Sequence, residues 1–245
     1  MKITVINGTE KHGVTYRLKE IFLQNFQSAD IVEFYLPKDC PSFCIGCTRC
    51  FMKGEQNCKD FAYINKVEKS IIGSDLIVLT SPAYVMHATG AMKALLDHFG
   101  YRWMPHRPAP EMFDKHAVVI TQCLGAGAKS TAKDITQSLS WWGISKIGIF
   151  NGALMSEIIW DKLSEKKRKK LTNKINKLAV RFSKINYAKP ARTKLTTKIK
   201  FIICRLIQKK VRKRGVAGLD NEYWYNNGWL GKNRPWKHRY GRHTG

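Results

Sequence analysis

The strongest constraint on this chain is a change of hydrophobic period that recurs through residues 1 to about 151, where short apolar runs alternate with stretches of helical spacing. Residues 2–6, 31–36, 75–80, 116–121 and 144–150 read as strands. The run at 75–80 is almost continuously apolar, as in a strand covered on both faces. Between the strands, Leu18, Ile21, Phe22 and Phe26 fit one helix face, and Phe61, Ile64, Val67 and Ile71 a second. Met92, Leu95, Leu96 and Phe99 fit a third, and Ile135, Leu139 and Trp142 a fourth. Strands separated by helices form βαβ units, whose right-handed crossovers place helices on both faces of a parallel sheet. The expectation is a doubly wound α/β fold of five strands in the order 2-1-3-4-5, with its ligand crevice beyond the carboxyl ends of strands one and three.

Charge divides the chain unevenly. The formal net charge is +25, and residues 160–214 hold 21 Lys or Arg against Asp161 and Glu165, or +19. Residues 161–186 and 193–213 read as two basic amphipathic helices interrupted by Lys189-Pro190, and the last thirty residues, rich in Trp, Tyr, Asn and Gly, read as irregular. The expected division is residues 1–155 as the α/β domain and 156–245 as a basic helical extension with an aromatic tail. That tail is too aromatic for disorder and is expected to dock on a partner or on the core. A solvated basic face is the default for the helices. Contact with anionic membrane surfaces comes next, because Lys198 to Lys210 mixes Ile, Phe and Leu with Lys and Arg. Nucleic acid ranks last, since no nucleic-acid-binding motif accompanies the charge. No run of about 18 apolar residues occurs and no secretory signal pattern is present, so the chain reads as cytoplasmic.

Three segments fall at the expected ligand edge. Asn7 to Thr15 joins strand one to the first helix and brings Gly8 and Gly13 for close backbone approach, the hydroxyls of Thr9 and Thr15, the cations Lys11 and His12, and the backbone of Val14. These are what a phosphate needs at a helix N-terminus. Ser81, Pro82, Ala83, Tyr84 and Val85 follow strand three, where Tyr84 offers an aromatic face. After strand four come Thr121, Gly125 and Gly127, the glycines letting amides approach a ring edge; Cys123 there reads as a packed small residue.

Seven cysteines in a cytoplasmic chain argue against a disulfide framework. Cys44, Cys47, Cys50 and Cys58 lie within fifteen residues, with Gly46 and Gly54 for tight turns and Arg49 and Lys53 to favour thiolates. Three thiolates at x2 spacing with a fourth further on suit an iron–sulfur cube. Four thiolates also suit zinc, although zinc sites usually come as two separated pairs. Reduced thiols without metal are the third reading. Cys40 reads as structural.

These motifs together resemble the NADPH-dependent FMN reductase family of flavodoxin-like proteins over residues 1 to about 155. Asn7-Gly8-Thr9 and Gly13-Val14-Thr15 resemble its phosphate loop, with Glu10 and Val14 where that loop carries Pro and Asn. Ser81-Pro82-x-Tyr84 and Gly90-Ala91-Met92-Lys93 with Asp97 resemble its second flavin loop and following helix. Thr121 with Gly125-x-Gly127, then Trp142-Gly143, resembles its third loop, although Gln122-Cys123 departs from the usual glycine-rich opening. The cysteine run resembles the iron–sulfur flavoprotein branch.

The resemblance implies FMN, with the phosphate on Thr9, Lys11, His12, Gly13, Val14 and Thr15 and the isoalloxazine beside Ser81, Pro82, Ala83, Tyr84, Val85, Thr121, Gly125 and Gly127. It also implies a 4Fe-4S cluster on Cys44, Cys47, Cys50 and Cys58, NAD(P)H as donor, and a dimer or tetramer. The segment 98–103, aromatic and basic, is expected over the flavin face or at a dimer interface. The activity expected is NAD(P)H-dependent FMN oxidoreduction; the alternatives are an electron carrier working with an acidic partner such as ferredoxin, and a surface-binding module.

Overall fold

The computed structural model describes residues 1–154, 157 and 159–237. In chain order the elements are β1 (Lys2–Asn7), α1 (Val14–Leu23), β2 (Asp30–Tyr35), the single turn α2 (Arg49–Met52), α3 (Phe61–Gly73), β3 (Leu76–Pro82), α4 (Gly90–His98), β4 (His116–Cys123), α5 (Ala128–Trp141), β5 (Lys146–Ala153), α6 (Glu165–Ser183), α7 (Leu195–Lys213) and α8 (Leu219–Asn226). The sheet is five-stranded in the order β2-β1-β3-β4-β5, and every pairing is parallel. This is the flavodoxin-like topology that the family resemblance implied.

Strand alternation sorts the core into two layers. Ile77, Leu79, Ala117 and Val119 face α3, α4 and α5 through Ile64, Val67, Met92, Leu95, Ile135 and Leu139. Leu76, Val78, Val118 and Ile120 face the other way, onto Leu18 and Phe22 of α1 and Leu171, Ile175, Leu178 and Phe182 of α6. Helix α6 therefore belongs to the same core as the sheet. Its Ser164 N-cap accepts from the amide of Lys167. The surface charge changes near residue 155, but the core does not; the boundary itself, between 155 and 156, lies outside the described residues.

Four strands run further than the hydrophobic pattern predicts: β1 to Asn7, β3 to Pro82, β4 to Cys123 and β5 to Ala153. Pairing carries them on, with Ser81 opposite Thr121 and Pro82 opposite Gln122. Pro82 is tolerated in a central strand because β1 stops opposite Thr80, leaving no ladder partner where the proline lacks its N–H.

The aromatic tail also departs from expectation. Residues 219–226 form α8, and a third apolar cluster joins it to α7: Phe201 and Cys204 pack with Trp224 and Trp229 against Met104 and Phe113. The period was masked because polar Asn and Glu alternate with the aromatics, so the helix was set by what Trp224 packs on. Residues 216–218 and 227–237 of that tail hold turns and irregular backbone, as expected, and 238–245 lie outside the described residues.

Beneath the β1–α1 loop, Lys19 is fully buried and ion-paired to Glu33 at 2.7 Å and Glu20 at 2.6 Å. Burial alone would push Glu33 up, but hydrogen bonds from Lys19, Asn7 and Tyr35 outweigh it and hold its pKa below the ordinary 4.5. The stabilisation is therefore fully present above pH 4.5 and is lost as pH falls through the depressed value. Urea melts across the acid range should show Glu33→Gln losing less stability than the parent as the solution is acidified; parallel curves would remove Glu33 from the acid response.

Candidate functional site

The carboxyl ends of β1 and β3 meet at Gly8. Its amide donates to Thr80 O at 2.7 Å, and its carbonyl accepts from Thr89 Oγ1 at 2.6 Å. A Cβ at this position would lie 2.8 Å from Thr80 O, so the two strand ends close only around glycine. The β1–α1, β3–α4 and β4–α5 loops surround this point.

The first loop presents groups suited to binding an anion. Helix α1 starts at Val14 with no side-chain cap and no acid in its first turn, so its leading amides are unneutralised. Thr15 Oγ1 is buried at that end without a hydrogen-bond partner, and a buried unpaired hydroxyl is costly unless a ligand completes it. Lys11 and His12 are exposed beside it, and His12 stacks on Tyr16 at 3.9 Å. Thr9 Oγ1 accepts from the Lys11 amide at 3.2 Å, tightening the turn. Val14 packs its side chain into the core and offers only its amide. The set fits a phosphate monoester.

The second loop is a tight β-turn. Tyr84 and His87 exchange backbone hydrogen bonds at 2.9 and 3.1 Å around Val85 and Met86, whose φ values of 48° and 70° are left-handed. Such a conformation is rare for a β-branched residue such as Val85, which is 93% exposed. The third loop closes onto this turn: a Cβ on Gly127 would meet Met86 Cα at 2.8 Å, its φ is +103°, and Ser130 Oγ donates to Met86 O. Tyr84, Val85, Leu124 and Gly125 are exposed along the rim, with Ala83 and Gly127 half-buried behind them.

Ser81, Pro82 and Thr121 lie in the strands and are buried. Ser81 Oγ donates to Pro82 O and accepts from the Thr89 amide, while Thr121 Oγ1 lies 2.9 Å from Ala128 O and 2.8 Å from Asn151 Oδ1. Both hydroxyls brace the loops. Cys123 is buried against Gly152 O, as expected of a packed residue.

The cysteine loop follows β2. Gly46 and Gly54 have φ of 67° and 95°, the turns anticipated for them, and Thr48 joins them at 56°. Cys44 and Cys47 are exposed; Cys50 and Cys58 are half-buried. Burial first, and then neighbouring thiols, push Cys50 and Cys58 up: Cys50 senses Cys58 and Cys44, and Cys58 senses Asp60, Cys47 and Cys44. Arg49 and Lys53, expected to favour thiolates, do not reverse this. The shifts of Cys50 and Cys58 thus place the four thiols within electrostatic reach of one another. Zinc would draw sulfurs to roughly 4 Å of one another. Among the described residues, however, the one set of ligand atoms converging within 4.8 Å is Cys58, Asp60 and His98. Cys40 is buried and its thiol is pushed up to about 11 by that burial, as expected of a structural residue.

A scan against family models matches residues 1–156 to the NADPH-dependent FMN reductase model. The chain belongs to that family. Among curated relatives, an iron-sulfur flavoprotein of Archaeoglobus fulgidus is 23% identical over 149 residues, covering 60% of this chain and 65% of that protein. An iron-sulfur flavoprotein of Clostridioides difficile is 34% identical over 105 residues, covering 40% of this chain and 45% of the other. The chain therefore spans less than two thirds of the curated relatives it matches. Among solved structures, an FMN-dependent NADH-azoreductase from Bacillus anthracis in complex with FMN superposes with a TM-score of 0.57 at 11% identity, covering 75% of this chain and all of that one. At that identity the likeness shows the fold.

Within this family member Tyr101 and Arg102, in the segment expected over the flavin face or at a dimer interface, turn their side chains to acids of the same chain. Tyr101 is buried and donates to Glu68 Oε2 at 2.9 Å, and Arg102 pairs with Glu68 and with Glu55 at 3.1 Å. Arg107 pairs with Glu55 at 3.1 Å and with Asp220 of α8, and donates to Cys50 O. Two arginines thus clamp the cysteine loop through Glu55. The sequence held no signal for this, because the partners lie 34 to 113 residues apart. Asp60 Oδ2 was missed likewise: it is buried, makes no hydrogen bond, and lies 3.7 Å from His98 Nε2 beside Cys58.

Proposed function

We propose that this chain is an FMN-dependent oxidoreductase that takes electrons from NAD(P)H or a protein donor and delivers them to an acceptor, with a 4Fe-4S cluster on Cys44, Cys47, Cys50 and Cys58. The observation that carries the reading is Thr15 Oγ1, buried and unpaired at the uncapped head of α1, beside Lys11 and His12. The leading amides of α1, Thr15 and the two cations hold the phosphate. The turn at Tyr84–His87 and the backbone at Gly125–Gly127 border the ring. Bound there, FMN would supply hydride acceptance and one-electron release, and a cluster on the four cysteines would supply a one-electron relay. No side chain is required as an acid or base. The arginine clamp keeps the cysteine loop at a constant place, and the exposed Cys44 and Cys47 form the edge where electrons leave. That exposed edge, with the net charge of +25, supports a second reading as an electron carrier serving acidic redox proteins.

Protein purified without oxygen should show a flavin spectrum and release FMN, iron and sulfide together, and should oxidise NADH or NADPH with ferricyanide. Flavin that is reduced by ferredoxin but by neither nucleotide leaves the carrier reading standing and removes the enzyme. Protein that takes up no FMN even when supplied with it overturns both.

Thr15→Val separates the site from the fold. Valine keeps the shape and removes an unpaired buried hydroxyl, so the apoprotein should be as stable as the parent or slightly more so. Loss of one hydrogen bond to a charged phosphate should weaken FMN binding by about 10- to 100-fold. Flavin fluorescence titration beside a urea melt measures the two effects; unchanged affinity would place the phosphate elsewhere.

A further inference from the structure

Helix α7 is amphipathic with its sides reversed. The residues it buries, Thr197, Phe201, Cys204 and Gln208, recur at i, i+4, i+7 and i+11 and include one large apolar side chain. On the opposite side, Leu195, Ile199, Ile202, Ile203, Leu206 and Ile207 are exposed, with Leu195 at 71% and Leu206 at 58%. Aliphatic residues at i, i+4, i+7, i+8 and i+11 make a continuous stripe along a helix about 28 Å long. Leaving such a stripe in water is unfavourable, and no described element covers it.

The surroundings of the stripe say what covers it. Leu195–Lys213 contains seven Lys or Arg and no acid. Lys209, Lys210 and Lys213 are exposed at its C-terminal end, followed by exposed Arg214. At its N-terminal end an open cavity of about 430 Å³ is lined by Lys146, Arg192, Thr193, Lys194, Leu195 and Lys198, so four cations ring a hollow that shares Leu195 with the stripe. A second copy of this chain would set like charges against one another. A nucleic acid would engage the cations and leave the aliphatic residues facing water. No helix among the described residues is long and apolar enough to cross a membrane. An anionic phospholipid surface satisfies both features, taking the aliphatic stripe into its acyl boundary and the lysines at its headgroups.

We propose that α7 docks this protein peripherally on anionic membranes, lying in the plane of the interface, with a headgroup phosphate in the cavity ringed by Lys146, Arg192, Lys194 and Lys198. The proposal is independent of the flavin reading. The test is flotation of the full chain with vesicles of phosphatidylcholine alone and of phosphatidylcholine mixed with phosphatidylglycerol, at about 0.15 M salt.

The parent should bind the mixed vesicles at least about tenfold more tightly than the neutral ones. Ile199→Ser/Ile203→Ser/Leu206→Ser should lose about tenfold or more of that binding, as should Lys209→Gln/Lys210→Gln/Lys213→Gln. These side chains are exposed, so thermal melts and FMN content should match the parent. Equal binding to neutral and mixed vesicles overturns the proposal, as does a serine variant that binds like the parent. A parent dimer that the serine variant turns into a monomer in sedimentation equilibrium would also overturn it, assigning the stripe to a second copy.

Discussion

Trp224→Ala should destabilise the protein by about 3–5 kcal/mol, the range for removing a large aromatic from a packed core. Trp224 is fully buried, stacks on Phe201 at 4.7 Å between ring centroids, meets Trp229 edge-on at 5.4 Å, and donates its indole N–H to His106 O at 2.7 Å. Alanine forfeits the ring contacts and leaves that carbonyl unpaired. The loss should be local at first. Cluster residues from α7 and α8 hold the segment around Met104 and Phe113, whereas the two layers on the sheet contain no part of that cluster. Limited proteolysis should therefore cut α7 and α8 of the variant well before the sheet and α6, while FMN remains bound. A urea melt losing under about 1 kcal/mol would mean that α8 contributes little to the fold.

Gly8→Val should strike both the fold and the cofactor. The new side chain meets the backbone oxygen of Thr80, which cannot swing aside as a side-chain atom could, and crowds Thr89 Oγ1 at 3.1 Å. Overpacking of this kind costs about 1–3 kcal/mol. Because the strain falls where β1 and β3 part to form the crevice, FMN affinity should fall at least about tenfold as well. Gly90→Ala is the control: a Cβ there meets nothing within 4 Å, so stability and affinity should hold. Gly8→Val binding FMN like the parent would move the flavin away from the β1–β3 junction.

The two predictions lie at opposite ends of what could be read from residues alone. Gly8, Thr15 and the loops after β1, β3 and β4 were legible because a parallel sheet brings its carboxyl ends to one edge whatever its side chains do. The cysteine run was legible because Cys44, Cys47, Cys50 and Cys58 lie within fifteen residues of one another. Ser81 and Thr121 were placed among ligand-facing residues, yet their hydroxyls are turned to Thr89, Ala128 and Asn151. Their strands run on past the apolar pattern through pairing with neighbours distant in sequence. The segment 98–103 was read as lying over the flavin face or at a dimer interface; the partners of its one arginine, Arg102, are Glu55 and Glu68 from another part of the chain.

By itself, then, the sequence determined the alternation of strands and helices and the motifs that carry the family resemblance, since each depends on local period and short-range spacing. Tertiary structure alone decided three other matters. It assigned α6 to the core and α8 to the aromatic cluster, clamped the cysteine loop with Arg102 and Arg107, and turned the apolar stripe of α7 outward. Amphipathic spacing states that a helix has an apolar side, but only the partners it packs against decide whether that side faces the core or the solvent.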